Sequence, residues 1–290
     1  MTGPLPSAGV ERTERLMARL DEACARHPRL DVAVKVQRRF GAERGANLAA
    51  AISMRGFLAL FPVLVLMISV VGFIGGNPQT VANDIVKALG LSGSAAHTIT
   101  DAVKTAQRTK VASSVVGIIG LLWTGTGLAT SLTAAWNQTW RIPGGGFRGR
   151  ALGFGWLLGG LVLFALALLM LALVGGSGAL PELGLVGGLV VDTSLFLWTA
   201  WVLPTRRIPL RAMLPAAIFG GICIEILKAV GALVIPRIVG RSSALYGTIG
   251  TVFALLVWFL VLGRVVVYVT LIEHEGWLKH QAHITAPAAR

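Results

Sequence analysis

The sequence predicts an all-helical protein that crosses a membrane several times, and three observations support this fold class. Of the 290 residues, 54% are hydrophobic and only 13% are charged. The mean hydropathy of +0.74 lies far outside the usual range for soluble globular domains. The apolar residues form runs of about 20, the length that a helix needs to cross a hydrocarbon core of about 30 Å, rather than the short alternating segments of barrel strands.

Six such runs, bounded by charge, proline or glycine, are predicted to be transmembrane helices. They define a membrane domain at 46–273, preceded by a cytoplasmic segment at 1–45 and followed by a cytoplasmic tail at 274–290. Because 1–45 is polar and charged throughout, we expect the first span itself to direct insertion, without a cleavable signal peptide. The six predicted spans cover approximately 47–73, 114–136, 152–174, 185–203, 213–235 and 248–272.

The distribution of charge predicts the orientation in the membrane. Seventeen Lys and Arg residues fall on the side of the two termini, against six on the other side. The positive-inside rule therefore predicts that both termini are cytoplasmic. A net charge of +13 is also typical of proteins that bind nucleic acid, but the membrane rule accounts for it, so we expect no nucleic-acid partner.

Two regions outside the spans carry apolar residues at helical spacing. In the N-terminal segment, "ERTERLMARLDEACARHP" and "LDVAVKVQRRF" predict short amphipathic helices that lie at the membrane surface or under the bundle. In the outer loop at 75–113, "PQTVANDIVKALGL" and "SAAHTITDAVKTAQRTK" predict two more, separated by "GLSGS". A loop of this length is either functional or a simple lid over the bundle.

No motif in the sequence predicts catalysis, a cofactor or a metal. The stretches "GTGL" and "GGGFRGR" lack the Gly-Lys-Ser/Thr ending of a phosphate-binding loop. His274, His280 and His283 cluster in the tail beside Glu273 and Glu275, but a short polar tail supplies no rigid, converging ligands. We therefore expect that the protein is not an enzyme and has no catalytic, cofactor-binding or metal-binding residues.

The remaining candidates are ionisable residues inside the predicted spans. Such residues are costly in hydrocarbon and usually pair with one another or face a wet cavity. A helical rise of about 1.5 Å per residue places Asp192 and Glu225 within about 4 Å of the midplane, with Lys228 about 7 Å to its outer side. By the same measure, Arg55 and Arg264 lie about 5 to 8 Å to its cytoplasmic side.

These depths predict one buried polar network across spans one, four, five and six. Glu225 and Lys228 are three residues apart and share a helical face, so they can pair directly. The network is either an ion-pair cluster that fixes the register of the helices or a hydrophilic path or headgroup site. Its predicted members are Arg55, Asp192, Glu225, Lys228 and Arg264.

Four segments, taken in order, resemble the YihY/BrkB family of bacterial inner-membrane proteins. They are "FLALFPVLVLMISVVGF" in the first span, "LLWTGTGLATSLTAAWNQTW" in the second, the "LPTRRIP" turn, and "YGTIGTVFALLVWFLVLGRVVVY" in the last span. The resemblance covers roughly 30–275. It implies a six-helix inner-membrane protein linked to envelope integrity, and a YhjD-like branch of the family is associated with export of lipid or lipopolysaccharide.

The resemblance also bears on the candidate residues and on an older assignment. The family's last helix often carries an acidic residue near its end, where this chain has Arg264 and then Glu273. The family once bore the name ribonuclease BN. The sequence does not favour that activity, because it has no metal-ligand cluster and no acid/base pair outside the bilayer that is suited to cutting RNA.

The leading hypothesis is export or translocation of an anionic envelope component, such as a lipid, along a path lined by Arg55, Lys228 and Arg264. Cationic groups would hold a phosphate headgroup, while Asp192 and Glu225 keep them from binding it too tightly. The alternative is a non-transporting scaffold for envelope integrity, and a membrane-associated ribonuclease is the third hypothesis. The expected partners are membrane lipids, and either an envelope protein or a second copy of the chain.

Overall fold

The computed structural model describes residues 26, 28–73, 79–80, 82–83, 86, 96–97, 100–101, 104, 110–143, 146–176, 181–204, 208–245 and 247–285. Within these residues every regular element is a helix, as the sequence predicts. The described helices are numbered here along the chain. They are α1 (Pro28–Ala42), α2 (Gly45–Phe73), α3 (Lys110–Trp140), α4 (Gly146–Gly176), α5 (Pro181–Val202), α6 (Leu210–Leu245) and α7 (Gly247–Thr285).

Five of the described helices contain stretches that are long and apolar enough to cross a membrane. The predicted third span falls in α4, which is helical over 31 residues and whose described apolar stretch is Ala151–Leu163. The predicted fold class, an all-helical protein with several transmembrane helices, is therefore confirmed. The five stretches are Gly45–Leu66, Ser114–Trp140, Gly184–Val202, Leu210–Leu233 and Val252–Leu278.

The ends of the chain show how the predicted segments relate to these helices. α7 is 39 residues long and continues without a break through the boundary predicted at residue 273. Its residue Glu275, assigned by the sequence to the tail, is buried. α1 is the second of the two predicted N-terminal amphipathic helices. The other one, at 11–28, and the two in the outer loop at 75–113 lie largely outside the described residues.

Helices α2 to α7 form a closed ring. Each packs against the next along the chain, and α7 packs against α2 to complete the circle. α1 lies against α2 and α7 at one end, which we call the α1 end of the ring. Trp136, Leu203, Met213 and Leu271 are fully buried there. The core at this end is thus formed by buried side chains from α1, α2, α3, α5, α6 and α7, together with Leu203 just after α5.

One close contact within the ring joins α2 to α7. The Ser53 hydroxyl on α2 donates to the Ala49 carbonyl at 2.6 Å and also lies 2.7 Å from the Phe259 carbonyl on α7. Gly263, one turn beyond Phe259, faces the same site. A Cβ there would lie 2.5 Å from the Ser53 hydroxyl and against the Ala49 carbonyl oxygen. Backbone atoms cannot yield as a flexible side chain does, so only glycine fits.

We expect Gly263→Ala to destabilise the protein by about 1–3 kcal/mol, because the added methyl group would force α2 away from α7. The matched control is Gly276→Ala in the same helix, where a Cβ would meet nothing within 4 Å. Thermal unfolding of the detergent-solubilised protein should show a clear fall in Tm for Gly263→Ala and little change for Gly276→Ala. Equal effects of the two substitutions would contradict the packing described here.

Candidate functional site

Three of the five predicted ionisable residues meet where α5 contacts α6. The Lys228 ammonium donates a hydrogen bond to Asp192 Oδ2 at 2.7 Å and another to Glu225 Oε1 at 3.0 Å. Asp192 belongs to α5, whereas Glu225 and Lys228 lie one turn apart on α6. We call these residues the Lys228 triad. It supplies two carboxylates for one ammonium, so the positive charge has its counter-charges within the protein.

Small residues allow α5 and α6 to come close enough for the triad to form. The Glu225 carboxylate lies against Gly188 of α5, in the space that a Cβ at this position would take. Gly221 of α6 lies against Thr193 in the same way, with its backbone nitrogen 3.2 Å from a Cβ built at Gly221. Close backbone approach through glycine is a common way for helices to associate in lipid.

The triad lies at the surface of the ring, with its ammonium outermost. The Lys228 side chain is 51% exposed, against 13% for Asp192 and 16% for Glu225. A long lysine stem can carry its charge along apolar surface toward headgroups, while the carboxylates stay against the protein. The arrangement holds two helices together and leaves little positive charge unneutralised.

Arg55 lies elsewhere, between α2 and α3. Its guanidinium donates a hydrogen bond of 2.5 Å to the Gly127 carbonyl of α3. Among the described residues, no carboxylate lies within ion-pair distance of it. The side chain is exposed and lines a groove of about 590 Å³, which we call the Arg55 groove. Its lining residues are Arg55, Leu58, Trp123, Thr124, Thr126, Gly127, Thr130, Gly149, Gly153 and Phe154.

The polar character of the Arg55 groove comes from one cation and three hydroxyl groups. Thr124, Thr126 and Thr130 donate to carbonyls of their own helix, at 2.8, 2.6 and 2.8 Å. Their oxygens therefore keep lone pairs but have no proton to offer an anion. Trp123 at the groove is 81% exposed. The guanidinium is consequently the group in this groove that can bind a negative charge.

Arg264 is exposed on α7 and does not reach the other four residues. Its neighbour Gly263 faces α2, and successive residues of a helix point about 100° apart. The Arg264 side chain is therefore directed to the surface of the ring. Where the sequence predicts one network of five residues, the structure has the Lys228 triad, the Arg55 groove and Arg264 at three separate places.

A further polar cluster, at the α1 end, was not predicted. Arg39 of α1 bonds to Glu43, to Glu275 at 3.0 Å and to the Thr139 carbonyl at 3.1 Å, and also contacts His274 Nδ1. Burial lowers the pKa of Arg39, but the hydrogen bonds to Glu43 and Glu275 raise it by more, so the pKa lies above its ordinary value. A permanently charged guanidinium therefore joins α1 to α3 and α7.

The same end contains a fully buried carboxyl group. Trp136 Nε1 donates to Glu273 Oε2 at 2.8 Å, and Glu273 Oε1 has no hydrogen-bond partner among the described residues. In the sequence, Glu273 falls at the end of the predicted membrane domain. A signal was available, since Val269, Thr270 and Glu273 fall on one face of a helix that continues beyond the predicted span, and all three are buried.

The Lys228 triad allows a direct test of whether its charges depend on one another. Lys228→Met should destabilise the protein by about 1–3 kcal/mol, because two neighbouring carboxylates would lose their shared donor. The triple variant Asp192→Asn, Glu225→Gln, Lys228→Met removes all three charges and should recover most of that loss. The measurement is Tm in detergent. A triple variant that is no more stable than the single one would contradict the pairing.

Comparison with known proteins gives the family. The family model for "Virulence factor BrkB" matches residues 36–275, which confirms the resemblance read from the sequence. An uncharacterized protein of Dickeya dadantii (strain 3937) is 25% identical over 260 residues, which cover 79% of this chain and 78% of that protein. No solved structure matches the chain. The chain is thus a multi-pass membrane protein that belongs to the BrkB family.

Proposed function

We propose that the protein binds the phosphate of an anionic lipid, or of a similar envelope component, at Arg55 and moves it across the bacterial inner membrane. The observation that supports this most directly is the state of Arg55. It is a guanidinium on an exposed groove, it donates to a backbone carbonyl, and no described carboxylate pairs with it. A cation in this position needs an anion, and the lipid headgroup is the nearest source.

The contrast with Lys228 strengthens the proposal. Both residues lie in apolar helices of the membrane domain, but Lys228 has two carboxylates and Arg55 has none among the described residues. An intramembrane charge without a protein partner marks a ligand pathway more often than a structural element. Arginine also binds phosphate with two parallel N–H donors, which a lysine cannot offer.

The Arg55 groove is large enough for a lipid headgroup and the first carbons of the acyl chains attached to it. Its volume of about 590 Å³ falls within the range of about 300–1,000 Å³ that is usual for small-molecule sites. Leu58, Trp123 and Phe154 supply apolar and aromatic surface beside the guanidinium. Arg264 on α7 would be a second, separate cation for the lipid. Lys228 contributes less to binding of the lipid phosphate than the sequence predicted, because Asp192 and Glu225 already neutralise its charge.

Reconstitution into liposomes tests the proposal. Purified protein should speed the movement of fluorescent phosphatidylglycerol between leaflets more than that of phosphatidylcholine. Arg55→Gln should lower the rate for phosphatidylglycerol by about tenfold or more, since a hydrogen bond to a charged group contributes about 1.5–3 kcal/mol. Arg55→Lys should retain an intermediate rate, because it keeps the charge but loses the paired donors.

Arg38→Gln serves as the matched control, because Arg38 is an exposed arginine on α1, outside the transmembrane stretches. It should leave the rate unchanged. The proposal is wrong if the wild-type protein produces no flux with or without a proton gradient, or if Arg55→Gln is as fast as the wild type. In the scaffold hypothesis, Arg55→Gln would have no effect on lipid movement, and substitutions in the outer loop would affect envelope integrity instead.

A further inference from the structure

A second, partly open cavity lies between the six helices of the ring and reaches Asp192 of the Lys228 triad. It has a volume of about 240 Å³ and is lined by residues from all six helices of the ring. Asp192 is the one charged residue among those that line it. We call it the central cavity. Representative lining residues, one from each helix in order, are Ile52, Leu132, Trp156, Phe196, Ile224 and Phe259.

The chemistry of the central cavity suits a hydrocarbon chain. Apolar cavities stay free of water, and one of about 150 Å³ is large enough to bind a small apolar molecule. This cavity is larger, and five of the six helices that line it contain described apolar stretches long enough to cross a membrane. The apolar molecules that surround such helices are lipid acyl chains.

The contact between α3 and α4 separates the central cavity from the Arg55 groove. On α3, Leu128 lines the cavity and Thr130 lines the groove. On α4, Trp156 lines the cavity and Gly153 lines the groove. The contact between these two helices, which we call the α3–α4 seam, therefore lies between a headgroup-sized groove and an apolar cavity.

Small residues close the α3–α4 seam. A Cβ at Gly153 of α4 would lie 3.2 Å from the Ala129 Cβ of α3, and one at Gly125 would meet the Leu157 side chain. By contrast, hydrogen bonds hold each helix to its other neighbour. Trp156 Nε1 donates to Thr199 of α5 at 3.0 Å, and Trp198 Nε1 of α5 donates to the Trp156 carbonyl at 3.1 Å.

On the other side of the seam, α3 is joined to α2. Arg55 donates to the Gly127 carbonyl, and Gly120 lies against Pro62, whose Cγ would be 3.0 Å from an added Cβ. The ring is thus divided at this point into a helix pair α2–α3 and a helix pair α4–α5. Separating the two pairs at the seam breaks apolar contacts of small residues, which a lipid chain can replace.

We propose that the central cavity is a binding site for one acyl chain of the lipid, and that the chain enters through the α3–α4 seam while the phosphate is held at Arg55. This inference rests on the proposed function for the identity of the ligand and for the position of its headgroup. It adds the location of the acyl chain and the route by which that acyl chain reaches the central cavity.

A disulfide across the seam provides the test. Ala129→Cys with Gly153→Cys, in a protein whose Cys24 and Cys223 are replaced by serine and alanine, brings two Cβ atoms to about the separation of a disulfide, which is about 3.5–4.5 Å. The probe is phosphatidylglycerol that carries a photoactivatable diazirine in one acyl chain. Adducts are located by mass spectrometry, with the protein reduced and with the protein oxidised.

When the disulfide across the seam is reduced, adducts should form at the buried residues Leu132 and Phe196 of the central cavity. With the seam oxidised, labelling at these two residues should fall at least tenfold and should return when the disulfide is reduced again. Trp123, which is 81% exposed, should be labelled in both states. This labelling shows that the protein is folded and the lipid is present. The single-cysteine variant Ala129→Cys, treated with the same oxidant, should behave like the reduced protein.

Two results would overturn the inference. Labelling of Trp123 without any adduct at Leu132 or Phe196 in the reduced protein would exclude the acyl-chain site. Undiminished labelling of the cavity in the oxidised protein would exclude the seam as the route. Neither result depends on transport. A protein that is labelled in the cavity but moves no lipid would refute the proposed function alone, and one that moves lipid without cavity labelling would refute this inference alone.

Discussion

The contact of α2 with α7 is the constraint on which the rest of the structure depends. It joins the first long helix to the last one, and so converts six helices that follow one another along the chain into a ring with an interior. Glycine at 263 and the shared hydroxyl of Ser53 allow the two backbones to approach this closely. With α7 further from α2, the central cavity would open to lipid on that side.

Three cations among the described residues have different partners. Lys228 has carboxylates from its own helix and from α5. Arg39 has the carboxylates of Glu43, just beyond α1, and of Glu275 on α7, together with a backbone carbonyl. Arg55 has a backbone carbonyl and the open groove. The first two arrangements are complete within the protein and hold helices together. The third leaves the guanidinium open to a group from outside, and for this reason the proposed function is assigned to Arg55.

Much of the fold followed from the sequence, because hydropathy and charge specify the lengths of membrane helices. The pairing of Glu225 with Lys228 also followed, since a spacing of three residues on one helix places side chains together, and depth brought Asp192 level with them. The rotation of each helix about its own axis, relative to its neighbours, could not be predicted from the sequence. It directs Arg264 outward and separates Arg55 from the triad. The full length of α7 was not predicted either, because the polar residues at its end are typical of an exposed tail. In the structure, Glu273 and Glu275 are buried there.

Arg39 has a mechanical consequence for the ring. Its guanidinium holds the Thr139 carbonyl at the end of α3 and the Glu275 carboxylate on α7 at the same time. Any motion that moves these two helix ends apart must break one of those bonds. The α1 end of α3 is thereby fixed to α7, and α3 can tilt about this point but cannot shift as a whole. Helix α1 therefore provides a fixed point for the bundle, and a tilt of α3 about it would widen the α3–α4 seam most at the end far from α1.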